Sequence, residues 1–210
     1  MDTTDRDHAL TCRFVYLGPV MARIILRWIA CTIFLSLSFR ADAQERELMT
    51  VRKGEVSFVS DAPLERIAAS NSAVTGMLDL KQRTFVVRIP MRLFSGFNSP
   101  LQQEHFHENY VESQEFPNAL FEGRVIEACD LSKAATYEVR AKGRFTVHGV
   151  AQERIITCTL VVAADGIRVT SAFDVPLADH GIRIPRVVQQ KLAAVARVKV
   201  DLLFAPAPGK

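Results

Sequence analysis

The side chains with the most chemical potential in this 210-residue chain are its five histidines and four cysteines. His105 and His107, flanked by Glu104 and Glu108, form the densest group of metal-capable residues. Residues two apart on a helix point to different faces, so both imidazoles reach one ion only from an extended or irregular backbone. A solvated polar lid helix is therefore the better reading than a zinc-type site, whose ligands must converge. His148 precedes Gly149 at the end of an alternating stretch and falls on its polar face. That position suits a turn residue hydrogen-bonding nearby backbone more than a general base. No nucleophile–base–acid spacing, glycine-rich phosphate loop or paired-carboxylate motif is present. The chemistry-bearing residues thus point away from catalysis, and neither a cofactor nor a metal is expected.

These residues can be placed only once a leader is set aside. From Trp28 to Phe39 the chain is almost wholly apolar or small, with Arg23 and Arg27 before it and Arg40-Ala41-Asp42-Ala43-Gln44 after it. Ala41 and Ala43 make an A-x-A site, so residues 1–43 read as a signal peptide cleaved after Ala43. A bilayer-spanning helix needs about 20 apolar residues, more than this run offers between its arginines. Asp2, Asp5 and Asp7 carry the wrong charge for a signal n-region, which makes Met21 the better start. Removing the leader, with its five arginines and four aspartates, leaves residues 44–210 with a net charge near +2. The remaining cations are scattered singly, so no footprint for nucleic acid is present, and cleavage leaves no stable membrane span. A chain of this mature length suits one domain in an oxidising, periplasmic or extracellular compartment.

After Gln44 the sequence is a succession of period-two stretches between turn residues, the pattern of an antiparallel barrel or sandwich. The cleanest strand is Tyr137 to Val147, where Tyr137, Val139, Ala141, Gly143, Phe145 and Val147 alternate with charged or polar residues. Period two with one charged face means one dry side and one wet side. A second strand, from Ile167 to Leu177, puts Val169, Phe173, Val175 and Leu177 on its dry face, with Pro176 near the end where a strand tolerates it. Shorter stretches turn Val56 and Phe58 inward, then Val74, Gly76, Leu78 and Leu80, then Phe85, Val87, Ile89 and Met91. Val195 to Phe204 forms the last strand. Ile155 to Val162 is apolar on both faces, which predicts a covering helix or a partner, and a homodimer stands open. Short helices are expected at Asp61–Ile67, at Ser99–Glu104 with Ser as cap and Pro at the first helical position, and at Pro185–Leu192. About eight or nine antiparallel strands can remove their edges by closing into a barrel.

Register also bears on Cys129 and Cys158. With Val147 opposite Glu153 across the Gly149 turn, Cys158 falls opposite about Lys142. With a turn at Leu131–Ala135, Cys129 falls opposite about Tyr137. An intervening strand then separates the thiols beyond the roughly 4.4 to 6.8 Å Cα spacing that a disulfide requires. No bridge is expected.

Three blocks carry a resemblance to a known family. Phe116-Pro117-Asn118-Ala119-Leu120-Phe121-Glu122-Gly123 resembles an aromatic-Pro followed by A-x-F-x-G. Gly143-Arg144-Phe145-Thr146-Val147-His148-Gly149-Val150 resembles a G-x-hydrophobic-T-hydrophobic-H-G-V block. Phe173 through Pro185 resembles a third, with His180 at a position relatives fill with an aromatic. In this order and spacing the chain resembles the YceI-like family of bacterial secreted lipid-binding barrels. The resemblance implies an all-β, lipocalin-like antiparallel barrel with short capping helices, enclosing a polyisoprenoid such as a quinone tail. The first half departs from the family: Arg52 to Phe58 and Gln102 to Glu108 stand where relatives carry D-x-x-H-S and R-D-x-H-L. Head-group contacts therefore do not transfer.

An eight-stranded barrel is just wide enough either to be filled by side chains or to hold one small ligand. The bulky inward candidates are Phe58, Phe85, Phe121, Tyr137, Phe145 and Phe173, with Gly76, Gly123, Ala141 and Gly143 expected to leave room among them. Val74, Leu78, Val87, Ile89, Val139 and Val175 complete the expected lining. The leading expectation is a non-enzymatic carrier of a long apolar molecule. The alternative is a packed barrel serving as an interaction or stress-response module.

Overall fold

The computed structural model describes residues 47–206, so the expectations of a signal peptide and of a start at Met21 lie outside the described residues. Nine strands make up the fold: β1 (Leu48–Asp61), β2 (Arg66–Asn71), β3 (Thr75–Asp79), β4 (Thr84–Pro90), β5 (Asn118–Val125), β6 (Ala135–Val147), β7 (Val150–Ala163), β8 (Gly166–Pro176) and β9 (Val195–Pro206). Every pairing is antiparallel, and β9 returns to β1 along Met49 to Val59, which closes the sheet. β2 covers the upper part of β1, from Val56 to Asp61, while β3 covers its start, from Leu48 to Thr50. The two short strands share one place in the wall, so nine strands build an eight-position barrel. Closure removes the unpaired edges that an open sheet would present.

Alternation decides which residues fill the interior. On β6 the buried residues are Val139, Ala141, Gly143, Phe145 and Val147, each separated by an outward-facing neighbour. On β7 they are Ile156, Cys158, Leu160 and Val162. Among the described residues no helix covers the outer face of Ile155 to Val162, so of the two covers expected there the helix is not met and the partner stays open. Ile155 is 59% exposed and Val161 40% exposed, because β7 lies in a single-layer wall with no helix against it.

Connections sort by end. The β1–β2 turn, residues 91–117, the β6–β7 turn and residues 177–194 lie at one end; the β3–β4 turn, residues 126–134 and the β7–β8 turn lie at the other. The first end holds α1 (Pro100–His105), continued by a π-helical turn at Phe106–Tyr110. Ser99 caps α1 as expected, its side chain accepting from Gln102 N at 3.2 Å. The helix expected at Asp61–Ile67 is instead a tight turn leading into β2. Ala62 and Glu65 exchange backbone hydrogen bonds at 3.0 and 3.3 Å, and Asp61 and Arg66 pair across the hairpin. Pro63 here serves a turn rather than a first helical turn. At Pro185–Leu192 only Arg186–Val188 forms a 3₁₀ turn.

β6 and β7 join through a two-residue turn, Val147 pairing with Val150 while His148 and Gly149 take φ of 50° and 71°. Two consecutive positive φ values define the I′ turn that fits strand twist. The register therefore differs from the expected Val147–Glu153 pairing, and Cys158 lies opposite Val139 rather than Lys142. Cys129 sits in the β5–β6 connection rather than in a strand, so it does not pair with Tyr137. Both thiols are free, as expected, although for a different register. The β7–β8 ladder stops at Thr159–Thr170, and beyond it the strands are tied by side chains. Ser171 Oγ donates to Thr157 O at 2.6 Å, and Arg154 donates to Asp174 O at 2.5 Å.

Candidate functional site

The barrel interior contains two apolar cavities stacked along its axis. The lower, of about 100 Å³, lies between Leu78, Phe85, Val87 and Phe121 on one side and Val139, Ala141 and Phe173 on the other. The upper, of about 120 Å³, lies beneath the helical end, between Phe58, Phe94, Phe106, Tyr110 and Val175. Val56, Ile89, Phe145 and Val198 belong to both walls. Phe145 is the aromatic member of that partition. Its ring stands edge-on to Phe121, Phe173 and His180 at centroid distances of 6.0, 5.9 and 5.4 Å. Edge-to-face contacts of this kind stabilise the ring where it stands by about 0.5 to 1.5 kcal/mol each.

Of the residues expected to line a cavity, eleven do so: Phe58, Leu78, Phe85, Val87, Ile89, Phe121, Val139, Ala141, Phe145, Phe173 and Val175. Five do not. Val74 is buried just before β3 but borders neither space. Tyr137 is half-buried, and its hydroxyl donates to Asp130 O at 2.9 Å near the opposite end. Gly76, Gly123 and Gly143 leave no room for a ligand. A Cβ at Gly143 would lie 2.1 Å from Glu122 O, one at Gly123 2.1 Å from Lys142 O, and one at Gly76 2.8 Å from Val86 O. Their missing side chains let neighbouring backbones approach, a role of strand glycines in bent sheets.

Sequence reasoning missed the aromatic cap. Phe94, Phe97 and Phe106 gather around Phe58, with ring centroids 5.4, 6.1 and 5.3 Å from it. They come from the long β4–β5 connection, where no regular alternation announces an inward face. π-helical turns such as Phe106–Tyr110 occur frequently at functional sites. Outside the cap, a third space of about 140 Å³ is lined by Glu65, Phe97, Gln102, His105, Val188 and Lys191. It shares Phe58, Phe106, Tyr110 and Leu192 with the upper cavity.

The histidines divide by role. His107 packs against Phe106 at 5.2 Å, and its buried Nδ1 has no partner. Burial, and secondarily the Arg92 charge, holds its pKa below the usual imidazole value. His148 places Nδ1 3.1 Å from His180 O and Nε2 2.7 Å from Glu112 Oε2. Phe116 packs on the same turn, its ring 4.7 Å from the His148 ring. His180 is fully buried, with Nδ1 3.0 Å from Val150 O. The three sequence blocks therefore meet at the His148–Gly149 turn, and these contacts are structural. His148 is a turn residue, as expected, but its backbone partner is remote in sequence. Among the described residues no group of three metal-capable side chains converges.

An eight-position antiparallel barrel with an apolar core, capped at one end by a helical connection, matches a YceI-like domain over residues 51–204. The chain belongs to the YceI-like family. Among solved structures, a polyisoprenoid-binding domain from Saccharophagus degradans implicated in plant cell wall breakdown is similar in fold. It superposes with a TM-score of 0.65 at 11% identity, over 78% of this chain and all of that one, 100%. BcnA of Burkholderia cenocepacia is similar with a TM-score of 0.60 at 14% identity, over 72% of this chain and 96% of that one. At such identities the likeness establishes the fold. No curated protein matches the sequence.

Proposed function

We propose that this YceI-like protein is a non-enzymatic carrier, in the periplasm or outside the cell, that sequesters a polyisoprenoid or similar long apolar molecule in its barrel. The observation that carries the reading is the lining of the two stacked cavities, where aliphatic and aromatic side chains face the space and Ser171, Ser60 and Tyr110 are almost the only hydroxyl groups nearby. Such a surface suits a chain with nothing to hydrogen-bond, because an unpaired buried polar group costs about 1 to 3 kcal/mol. Transfer of the ligand out of water would contribute about 0.8 kcal/mol per buried CH₂.

Each cavity is smaller than the roughly 150 Å³ that accommodates benzene in an engineered core. A chain of several isoprene units therefore requires the Phe145 partition to swing and join the two spaces. The same small volumes favour the second reading, a filled barrel acting as an interaction module. Solvent extraction of protein purified from its native compartment, followed by mass spectrometry, separates the two. Stoichiometric prenyl lipid is expected. An empty extract together with no uptake of added quinones would overturn the carrier.

A further inference from the structure

We propose that the wall between β7 and β8 is a lateral entrance through which the end of a single apolar chain reaches the lower cavity. This inference rests on the carrier reading and adds the route by which its ligand comes and goes.

The two strands part where their other neighbours stay laddered. β7 pairs with β6 from Val150 to Val162, and β8 pairs with β9 from Ile167 to Pro176. With each other they pair only from Thr159–Thr170 to Ala163–Gly166. Beyond that ladder the seam is left to side chains. Toward the helical end, Arg154 donates to Asp174 O at 2.5 Å, Gln152 donates to Asp179 O at 2.6 Å, and His180 Nδ1 lies 3.0 Å from Val150 O. Between those ties and the last ladder pair, a slot runs from Ile155 to Cys158 on β7 and from Ser171 to Phe173 on β8. Ser171 crosses it, its Oγ donating to Thr157 O at 2.6 Å beside the Cys158 thiol.

The inside and the outside share the rims of this slot. Cys158, Ser171 and Val200 line the lower cavity, and the same three line a groove of about 560 Å³ on the outer surface. Ser171 carries the one hydroxyl in the lining of the lower cavity, on the dry face of β8 between Val169 and Phe173. A polar side chain there, bonded across the seam to the neighbouring strand, acts as a latch. Opening it breaks one neutral hydrogen bond, whereas opening a ladder breaks several in succession. From the helical end, by contrast, a chain must pass the aromatic cap around Phe58 and then Phe145 before it reaches the same space.

The two sides of the slot suit the two parts of an amphiphile. Within, the lining takes the apolar chain, whose leading units fill the lower cavity and, in a long ligand, continue past Phe145. Outside, the groove presents the hydroxyls of Ser57, Thr157, Thr159 and Thr170 to a polar head, while Glu55, Glu138, Asp201 and Lys199 mix both charges and select neither. A slot the width of one chain leaves the Cys158 thiol closed to a bulky reagent.

Position 171 offers the test. Ser171 and Cys158 continue the register one step beyond Thr159–Thr170 and both face inward. Facing residues on antiparallel strands come within the reach of a disulfide. Ser171→Cys refolded under oxidising conditions should therefore form a bridge to Cys158, leaving Cys129 as the one free thiol of residues 44–210. Uptake of the water-soluble ubiquinone-1, followed by stopped-flow quenching of tyrosine fluorescence, should be about tenfold slower or more in the bridged protein than in the same variant kept reduced. Ser171→Ala removes the latch without needing a bridge, and it should speed uptake about two- to tenfold, the equivalent of one neutral hydrogen bond. Circular dichroism of each form checks that the barrel is intact. Unchanged uptake in the bridged protein, or in Ser171→Ala where no bridge forms, overturns the entrance and leaves the carrier. No ubiquinone-1 binding by any form, wild type included, removes the carrier and the entrance with it.

Discussion

Gly123 and Gly143 face each other across the β5–β6 ladder so closely that a Cβ on Gly123 would lie 2.6 Å from the Gly143 Cα. Each glycine lets the opposing strand's backbone into the volume a side chain would occupy. Gly143→Ala should therefore lower the stability of the barrel by about 3 kcal/mol or more, the upper range for overpacking against atoms that cannot rotate away. Urea unfolding followed by far-ultraviolet circular dichroism measures it. A loss below 1 kcal/mol would show that the strands separate easily here.

Phe145→Leu should join the two cavities. Loss of part of a buried ring costs about 1 to 2 kcal/mol, less than full truncation to alanine. The expected signature is a shift in chain-length preference, with long prenyl quinones gaining affinity relative to ubiquinone-1. Competition binding across a chain-length series reads it. An unchanged order of affinities would remove Phe145 from the role of partition.

The wall of this barrel was legible in the sequence because a strand with one dry face writes that face at every second residue. Tyr137 to Val147 shows it, and β6 and β8 fall where the alternation puts them. The cap was not legible: Phe94, Phe97 and Phe106 meet Phe58 from a connection whose path depends on tertiary packing. The glycines were read by the space they vacate rather than by what moves into it. A β-strand's period reveals the inward direction of Gly143 but not that Glu122 O already occupies it. Asp61-Ala62-Pro63 carries start signals that a turn and a helix share, and hairpin pairing decided between them.

His180→Phe should change stability by no more than about 1 kcal/mol. His180 Nε2 is buried without a partner, an arrangement that costs about 1 to 3 kcal/mol, while Nδ1 lies within hydrogen-bonding distance of Val150 O. An aromatic ring removes the orphaned nitrogen and loses the bond, so the two effects nearly cancel. The contact with Phe145 is retained. Thermal unfolding of His180→Phe beside His180→Ala checks this, since only alanine leaves a cavity under Phe145.

Burial raises the pKa of the Cys158 thiol, and it also raises that of Cys129, which is half-buried in the β5–β6 connection. The thiolate is the reactive form. A chromogenic disulfide reagent at neutral pH should therefore modify Cys158 only at the rate of unfolding, and denaturant should release both thiols. Detection of a single reactive thiol, or none, in denaturant would reveal modification or pairing that the barrel geometry does not supply.

The cap should loosen on mild acidification, through His107. Its pKa is lowered from 6.5 by burial against the aromatic cap and by Arg92, so the folded protein holds the neutral ring more strongly than the unfolded chain does. The unfolded chain binds more protons in the interval between the two values, and stability rises with pH wherever that is so. The His107 contribution is thus fully present above about pH 6.5, the unfolded value, and declines as the pH falls toward the folded one. Hydrogen exchange of the α1 backbone should accelerate over that interval relative to β6, whose ladder contains no histidine. His107→Gln should remove the pH dependence. An acceleration that persists unchanged in the variant would assign it to another group.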